Sequence, residues 1–234
     1  MNSKRLVLAS LGVTLVLALG NSVFGVPWTI SSYFTTSLLI PDNDPAGIAD
    51  TRLFSMPGAT DITHLEVTLH IVGGYNGDYY AYLRHGPTGF AVLLNRVGID
   101  VDPSAFGYPD QGFEVTLSDT ATDGDIHWYR ALLAPGGGPL TGQWQPDGRN
   151  ADPLLVSDST SQTAVLNSFS GLDPNGPWTL FIADNSALGI GTLTGWGLTV
   201  TADVVPETSA TFGLVLLASA SLWLIGTRRR RVPV

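Results

Sequence analysis

The ten residues Thr63–Val72, THLEVTLHIV, decide the fold class, because polar and apolar side chains alternate without a break from His64 to Ile71. In an extended strand, successive side chains point to opposite faces, so residues two apart share a face. The apolar face carries Leu65, Val67, Leu69 and Ile71, and the polar face carries His64, Glu66, Thr68 and His70. This pattern predicts a strand of an antiparallel sheet, with one face buried and the other in water.

Further short extended segments continue this pattern along the chain. The predicted strands cover residues 78–84, 90–97, 112–117, 126–133, 177–183 and 193–201. Turn signals separate them, notably Asn76-Gly77, Asn175-Gly176 and the loop Gly86–Gly89. The sequence shows no long helical period between its two terminal segments. Many short strands with regular turns predict an all-β fold, either a sandwich or a barrel.

At the N-terminus, a basic start and an apolar run have the layout of a secretory signal peptide. Lys4 and Arg5 precede Leu6–Leu19, an apolar run of 14 residues. A run of this length is too short for a comfortable membrane span. Small residues follow it, with candidate cleavage positions after Gly20 or Gly25. We expect residues 1–25 to direct export through the Sec translocon. A retained N-terminal anchor is the alternative.

A second apolar run, near the C-terminus, is long enough to span a membrane. Thr208–Thr227 has 20 residues, which as a helix cover about 30 Å, the thickness of a bilayer core. Trp223 lies near its end, and the run is followed by Arg228, Arg229, Arg230 and Arg231. Interfacial aromatics and clustered arginines are typical of the cytoplasmic end of a transmembrane helix. We therefore predict a transmembrane helix with the main body outside the cytoplasm, and a buried core helix as the alternative.

The segment between the two terminal runs is strongly acidic. Residues 26–206 contain five basic residues, all of them arginine, and 19 acidic residues, so the segment carries a net charge near −14. This charge argues against nucleic acid as a partner and is compatible with calcium. The sequence has no cysteine, which excludes disulfides and thiolate metal sites.

The histidine and acidic residues form only weak metal-site patterns. His64 and His70 would lie about 20 Å apart along one strand and cannot share an ion, whereas His64 and Glu66 are close enough to do so. The loops Asp119–Asp125 and Asp42–Gly47 each resemble part of a calcium loop. Neither has the glutamate that an EF-hand needs at its twelfth position. Calcium at loop carboxylates outside an EF-hand stays open as an alternative.

The sequence also lacks the usual marks of a catalytic centre. The G-x-S-x-G turn of serine hydrolases and the H-E-x-x-H helix of zinc proteases are both absent. Four histidines and many serines are present, but their spacing favours no nucleophile–base pair. We therefore predict a protein that is not an enzyme and that requires no cofactor.

Several stretches of the acidic segment follow the order of a known family. They are Ile40–Thr51 (IPDNDPAGIADT), Ala91–Gly98 (AVLLNRVG), Gly112–Ser118 (GFEVTLS), Gly138–Gly148 (GPLTGQWQPDG) and Leu172–Val200 (LDPNGPWTLFIADNSALGIGTLTGWGLTV). The last is the most specific, with N-G-x-W-T-L, then Ala183-Asp184-Asn185, then G-T-L-x-x-W-x-L. Together they resemble the proprotein convertase P domain, also called the Homo B domain, over about residues 30–202.

This resemblance implies a jelly-roll-like antiparallel β-sandwich, which we assign to residues 26–203. It implies that Trp178 and Trp196 are core aromatics, and that Asp78 and Asp184 brace loops or bind calcium. In the best-known members of the family, the domain follows a subtilisin-like catalytic domain and stabilises it. Only the predicted signal peptide precedes the matching region in this sequence, so we expect no activity to carry over from the family.

The C-terminal segment, residues 204–234, resembles a second known element. The triplet Val205, Pro206 and Glu207, the apolar run and the arginine cluster are similar to the PEP-CTERM sorting signal of Gram-negative bacteria. Thr208 replaces the usual second proline of the motif. The resemblance implies recognition by an exosortase, a membrane cysteine peptidase that cuts near the Pro-Glu motif. A permanent single-pass anchor is the alternative.

These patterns together predict a non-catalytic, exported surface or secreted protein, linked to extracellular matrix or biofilm. Its expected partners are the Sec translocon, the inner membrane in transit and an exosortase-like peptidase. One alternative is an accessory P domain that acts in trans with a subtilisin-like protease. A second is a carbohydrate-binding module using exposed aromatics such as Tyr79, Tyr80, Tyr82 or Trp144, and a third is a cryptic hydrolase.

Overall fold

The computed structural model describes residues 26–101 and 105–204, and these residues fold mostly as β-strands. The strands are β1 (Val26–Ile40), β2 (Asp44–Phe54), β3 (Ala59–Gly73), β4 (Tyr79–His85), β5 (Gly89–Asn95), β6 (Phe113–Leu117), β7 (Leu140–Trp144), β8 (Gly176–Asp184) and β9 (Gly191–Val204). Three short 3₁₀ helices lie between them, at Asn76–Asp78, Ile126–Ala131 and Leu166–Phe169.

The strands form two sheets. One has five strands in the order β1-β9-β3-β6-β7, and the other has four strands in the order β2-β8-β4-β5. All neighbouring strands are antiparallel except β6 and β7, which are parallel. This arrangement confirms the predicted all-β class and is consistent with a sandwich. The parallel pair is a departure from the purely antiparallel fold that we expected.

The core consists of the inward faces of both sheets. Leu65, Val67, Leu69 and Ile71 of β3 are buried, as their alternation predicted. They share one hydrophobic cluster with Tyr79, Ala81 and Leu83 of β4, Leu180 and Ile182 of β8, and Leu198 and Val200 of β9. Trp178 and Trp196 are both 0% exposed and belong to this cluster. Without disulfides, this apolar burial is the main stabilising contribution.

The stretch predicted as a strand at residues 126–133 is instead a 3₁₀ helix at Ile126–Ala131. The backbone amide of His127 donates to Oδ1 of Asp125 at 2.9 Å, which caps the start of the helix. Ile126 and Tyr129 are buried beneath it. Aromatic and β-branched residues favoured a strand locally, but the cap and the tertiary packing give a helical turn.

Two predicted hairpin turns are also different in the structure. Asn76-Gly77 lies in a 3₁₀ helix that carries the chain from β3 in one sheet to β4 in the other. Asn175 precedes β8, and its side chain accepts the amide of Met56 at 2.6 Å. The loop Gly86–Gly89 does connect a hairpin, since His85 of β4 pairs with Gly89 of β5.

The predicted signal peptide and the predicted sorting tail lie outside the described residues. This applies to residues 1–25 and to residues 205–234, including Val205, Pro206, Glu207 and the arginine cluster. Among the residues that are described, none forms a helix long and apolar enough to cross a membrane. The predicted transmembrane helix at Thr208–Thr227 therefore stays a prediction.

Candidate functional site

One end of the four-stranded sheet brings three aspartates together, which we call the Asp cluster: Asp42, Asp78 and Asp184. Asp42 lies in the turn between β1 and β2, Asp78 ends the 3₁₀ helix before β4, and Asp184 ends β8. Tyr79 pairs with Asp184 across the sheet, which places the neighbouring Asp78 beside it. Asp78 and Asp184, which the family resemblance indicated, are thus brought together by strand pairing.

Both inner members of the Asp cluster are buried. Asp78 is 2% exposed and Asp184 is 0% exposed. The backbone amide of Asn185 donates to the carbonyl oxygen of Asp78 at 2.9 Å, and that of Ser186 donates to Oδ1 of Asp184 at 3.0 Å. Within the described residues, Oδ2 of Asp184 has no hydrogen-bond partner. Burial of a carboxylate oxygen without a donor is costly.

This burial makes both carboxyl groups harder to ionise. Burial is the largest cause that raises the pKa of Asp78 to about 7, and the charge of Asp184 raises it further, while Arg96 opposes the shift. Burial likewise raises the pKa of Asp184, and the charge of Asp42 adds to the effect, against the amides of Ser186 and Asn43. Asp78 and Asp184 therefore keep their protons to a higher pH than an ordinary aspartate does.

The weaker metal candidates from the sequence have structural partners. His64 Nε2 lies 3.4 Å from Glu66 Oε1 on the outer face of β3, and both side chains are partly exposed. Asp119 accepts the amides of Leu166 and Asn167 at 3.0 and 2.6 Å, which caps the last 3₁₀ helix. Over residues 26–101 and 105–204, no three histidine or acidic side chains are grouped so as to hold a metal ion by themselves.

The two buried histidines, His85 and His127, are also hydrogen-bonded to structural partners. His127 is fully buried, with Nδ1 at 2.8 Å from Asp147 Oδ2 and Nε2 at 3.2 Å from the carbonyl of Ile99. His85 Nδ1 and Nε2 lie 2.9 and 2.7 Å from the carbonyl oxygens of Pro177 and Asp173. In the described part of the chain, no serine or threonine hydroxyl is hydrogen-bonded to a histidine ring. A nucleophile–base pair needs such a contact.

The outer face of the four-stranded sheet carries a row of aromatic side chains, which we call the aromatic row: Tyr80, Tyr82, Phe90 and Phe181. Each is half-buried, because its strand neighbours fill the core side. Tyr82 and Phe181, directly opposite on β4 and β8, are stacked with ring centroids 4.7 Å apart. Phe90 lies 5.3 Å from Tyr82, and Tyr80 lies 5.9 Å from it.

Two of the aromatics that we expected to be exposed are buried. Tyr79 is 0% exposed and Trp144 is 2% exposed, so neither is available to a ligand. Tyr79 lies on the core side of β4, where its hydroxyl donates to the carbonyl of Gly73 at 2.9 Å. Trp144 donates its indole N–H to the carbonyl of Thr141 at 2.9 Å. Because successive side chains of a strand point to opposite faces, Tyr80 and Tyr82 share the outer face of β4 and Tyr79 does not.

A groove of about 520 Å³ lies beside the aromatic row. Its lining includes Tyr82, Arg84, Pro87, Asp173, Asn175 and Thr179. The Arg84 side chain is exposed and, within the described residues, makes no hydrogen bond or ion pair, unlike those of Arg52, Arg130 and Arg149. Phe90 and Phe181 were missed by the sequence reasoning. The signal that could have found them is their alternation with core residues along β5 and β8.

Comparison with known proteins gave only distant structural likenesses. No family model matches the chain, and no curated protein matches it. The chain is similar to the serine protease of Aeromonas sobria, solved alone and in complex with its chaperone ORF2. Each likeness has 13% sequence identity and a TM-score of 0.42. The match to the protease in the complex covers 77% of this chain and 28% of the protease chain. This chain therefore spans less than a third of the length of the protein it matches.

Proposed function

We propose that this chain is a non-catalytic module that is exported and displayed at the cell surface, where the groove beside the aromatic row binds a neutral extracellular glycan. The observation that carries the binding role is the juxtaposition of Tyr82 and the unpaired Arg84 along one groove. Pockets that bind small ligands combine aromatic walls with a few polar groups that fix orientation.

The chemistry of the groove suits a saccharide. The aromatic row offers apolar ring surface against which the C–H faces of a sugar ring can pack. Arg84 has five N–H donors and no acceptor, so it can donate to several hydroxyl oxygens at once. Because residues 26–206 carry a net charge near −14, a polyanionic chain would be repelled, which favours a neutral polysaccharide.

The lack of catalysis, the export and the sorting complete the proposal. The described histidines are engaged by carbonyl or carboxylate oxygens or by a tyrosine hydroxyl, which supports a binding role over a hydrolytic one. The two terminal segments support export through the Sec translocon, passage through the inner membrane and recognition by an exosortase-like peptidase. The sandwich would then be a P/Homo B-like domain that the tail delivers to matrix or biofilm.

Affinity electrophoresis tests the glycan proposal. The mature protein, purified from its own cells, is run through gels that contain a neutral polysaccharide: dextran, xylan or galactomannan. A gel that contains alginate is the polyanionic comparison. We expect retardation by at least one neutral polysaccharide and none by alginate. Absence of retardation in every neutral gel, or retardation by alginate alone, would contradict the proposal.

Three variants locate the binding surface. Tyr82→Ala and Arg84→Gln should each weaken binding roughly tenfold or more, as residues central to a binding surface do. Trp28→Ala is the matched control, because Trp28 is 53% exposed on β1 of the other sheet. Equal losses in all three variants would show that the groove is not the binding site. If a subtilisin-like protease is instead recovered with the protein from its native cells, the accessory-domain alternative gains support.

A further inference from the structure

A second cavity, of about 240 Å³, opens at one end of the sandwich. Three segments line it: the start of the 3₁₀ helix before β4 together with its end, the loop before β6, and the loop between β8 and β9. They meet at the end where Gly73 of β3 pairs with Gly191 of β9, opposite the end where Val26 pairs with Val204. The cavity shares no lining residue with the groove beside the aromatic row.

The wall of this cavity is mainly aromatic and apolar. Tyr75, Phe106 and Tyr108 contribute rings to it, and Leu188 contributes an aliphatic side chain. Leu188 is 73% exposed and Phe106 is 64% exposed, so both lie where the cavity meets solvent. Large apolar side chains that are exposed beside one cavity, rather than scattered singly, are typical of a surface that binds a ligand or partner.

The charged group of the cavity is the carboxyl group of Asp78, which alone among the described lining residues carries a charge. This carboxyl group is hydrogen-bonded to the side chain of Ser186, a second lining residue, which places it at the cavity wall. The faces of aromatic rings are electron-rich and attract cations. A buried carboxyl group beside aromatic rings therefore favours a cationic ligand with an apolar part.

The cation that fits these surroundings is organic. A metal ion would need more ligands, because no three histidine or acidic side chains of residues 26–101 and 105–204 are grouped to hold one. An ammonium group needs a single carboxylate, and its other N–H donors can reach hydroxyl or carbonyl oxygens. In lysine this group ends a flexible four-carbon stem, which suits an apolar wall. The net charge near −14 of residues 26–206 also attracts a cationic ligand.

We propose that this cavity binds a primary ammonium group on an alkyl stem, with the ammonium at Asp78 and the stem against Tyr75, Phe106 and Leu188. A lysine side chain of a partner protein and a free alkylamine share this chemistry. In the first case, the exposed Phe106 and Leu188 also contact the residues beside the lysine. The proposal is independent of glycan binding, because the two cavities are separate, so either proposal can fail without the other.

Saturation-transfer NMR of n-butylammonium chloride with the mature protein tests the site. EDTA is present so that no divalent ion takes part. The pH is 8, because burial raises the pKa of Asp78 to about 7 and the carboxyl group is then mostly ionised. We expect saturable binding with a dissociation constant on the order of 1 mM, since the ligand has few atoms. Neutral n-butanol should bind about tenfold more weakly or less. Absence of butylammonium binding, or equal binding of butanol, would overturn the proposal.

A peptide distinguishes the two sources of the ammonium group. The tripeptide acetyl-Leu-Lys-Leu-amide should bind about tenfold more tightly than butylammonium if the ligand is a partner's lysine, because its leucines bury apolar surface against Phe106 and Leu188. The same peptide with norleucine in place of lysine is the control and should not bind. If butylammonium binds and the lysine peptide does not, the ligand is a free alkylamine.

Three variants locate the ammonium and its stem. Asp78→Asn keeps the shape of the side chain and removes its charge, so butylammonium binding should weaken about tenfold or more. Its melting temperature should equal or exceed that of the wild type, because burial disfavours the charged carboxylate in the fold. Leu188→Ala should weaken peptide binding severalfold without changing the melting temperature. Asp61→Asn, exposed at the other end of β3, is the matched control and should bind normally. Unchanged butylammonium binding in Asp78→Asn would overturn the assignment.

Discussion

Single charged residues inside the fold are each held by several partners. Asp110 is fully buried and accepts from the Tyr129 hydroxyl at 2.7 Å, from Arg130 Nε at 2.7 Å and from the Gly137 amide at 3.1 Å. Tyr129 and Arg130 lie in the Ile126–Ala131 helix and Gly137 in the loop after it. All three are 19 to 27 residues beyond Asp110, so no local pattern joined them to it. Buried charges of this kind depend on tertiary contacts, and the sequence alone does not show which acids will be buried.

Asp110→Asn should lower the free energy of unfolding by about 2–4 kcal/mol at pH 7, because a buried, charge-assisted acceptor of three donors is lost. Although burial raises the pKa of Asp110, the hydrogen bonds from Arg130, Tyr129 and the Gly137 amide lower it below its ordinary value overall. The stabilisation is therefore complete above about pH 4, the pKa of an unfolded aspartate, and is lost as the pH falls through the lower folded pKa.

Urea unfolding of wild type and variant at pH 7 and at pH 3 measures this difference. The gap between the two proteins should shrink at the lower pH. Asp158→Asn is the control, since the Asp158 carboxylate makes no hydrogen bond within the described residues, and should change stability by about 0.5 kcal/mol or less. A gap that is the same at both pH values would show that the Asp110 carboxylate does not stabilise the fold through its charge.

At the scale of elements, the strands with a clear alternation of apolar and polar residues were predicted from the sequence. Elements whose structure is decided by tertiary contacts were missed or assigned wrongly. β3 and β9 were predicted within a few residues of their observed bounds, because apolar and polar residues alternate along them. β1 and β2 were missed. β1 is an edge strand that pairs only with β9 in its sheet, and its residues are mostly exposed or half-buried, so burial imposes little pattern on it.

The Ile126–Ala131 helix depends on Asp125, whose two carboxylate oxygens bind different partners. Its Oδ1 caps the helix, and its Oδ2 lies 2.9 Å from Nη2 of the buried Arg149. Asp125→Ala removes the cap and leaves Arg149 with Asp147 as its remaining carboxylate. We expect a loss of about 2–4 kcal/mol in the free energy of unfolding.

Thermal and urea unfolding of Asp125→Ala, beside Asp158→Ala, check this expectation. Asp158→Ala changes the same side chain type at a position without side-chain hydrogen bonds, so it should stay close to the wild type. If the two variants are equally stable, the cap and the ion pair contribute nothing measurable, and packing of Ile126 and Tyr129 alone must hold the helix.

At the scale of the whole molecule, the sheets bring together residues that lie far apart in the chain. Asp78 and Asp184 meet because β4 pairs with β8, and Tyr82 meets Phe181 for the same reason. The family resemblance indicated the two aspartates, but not that Asp42 approaches them. The groove beside Arg84 is formed by the loop between β4 and β5 and the loop before β8, which are far apart in the chain, so no alternation pattern predicts it.

The intact mass of the mature protein from its own cells, with both termini sequenced, tests most directly whether this is an exported and sorted surface module. The proposed function predicts an N-terminus at Asn21 or Val26, after cleavage following Gly20 or Gly25, and a C-terminus between Val205 and Thr208. An added mass at that end would show covalent attachment at the surface. If Arg228–Val234 are still present, sorting by an exosortase is contradicted, and the sandwich is displayed by a permanent membrane anchor.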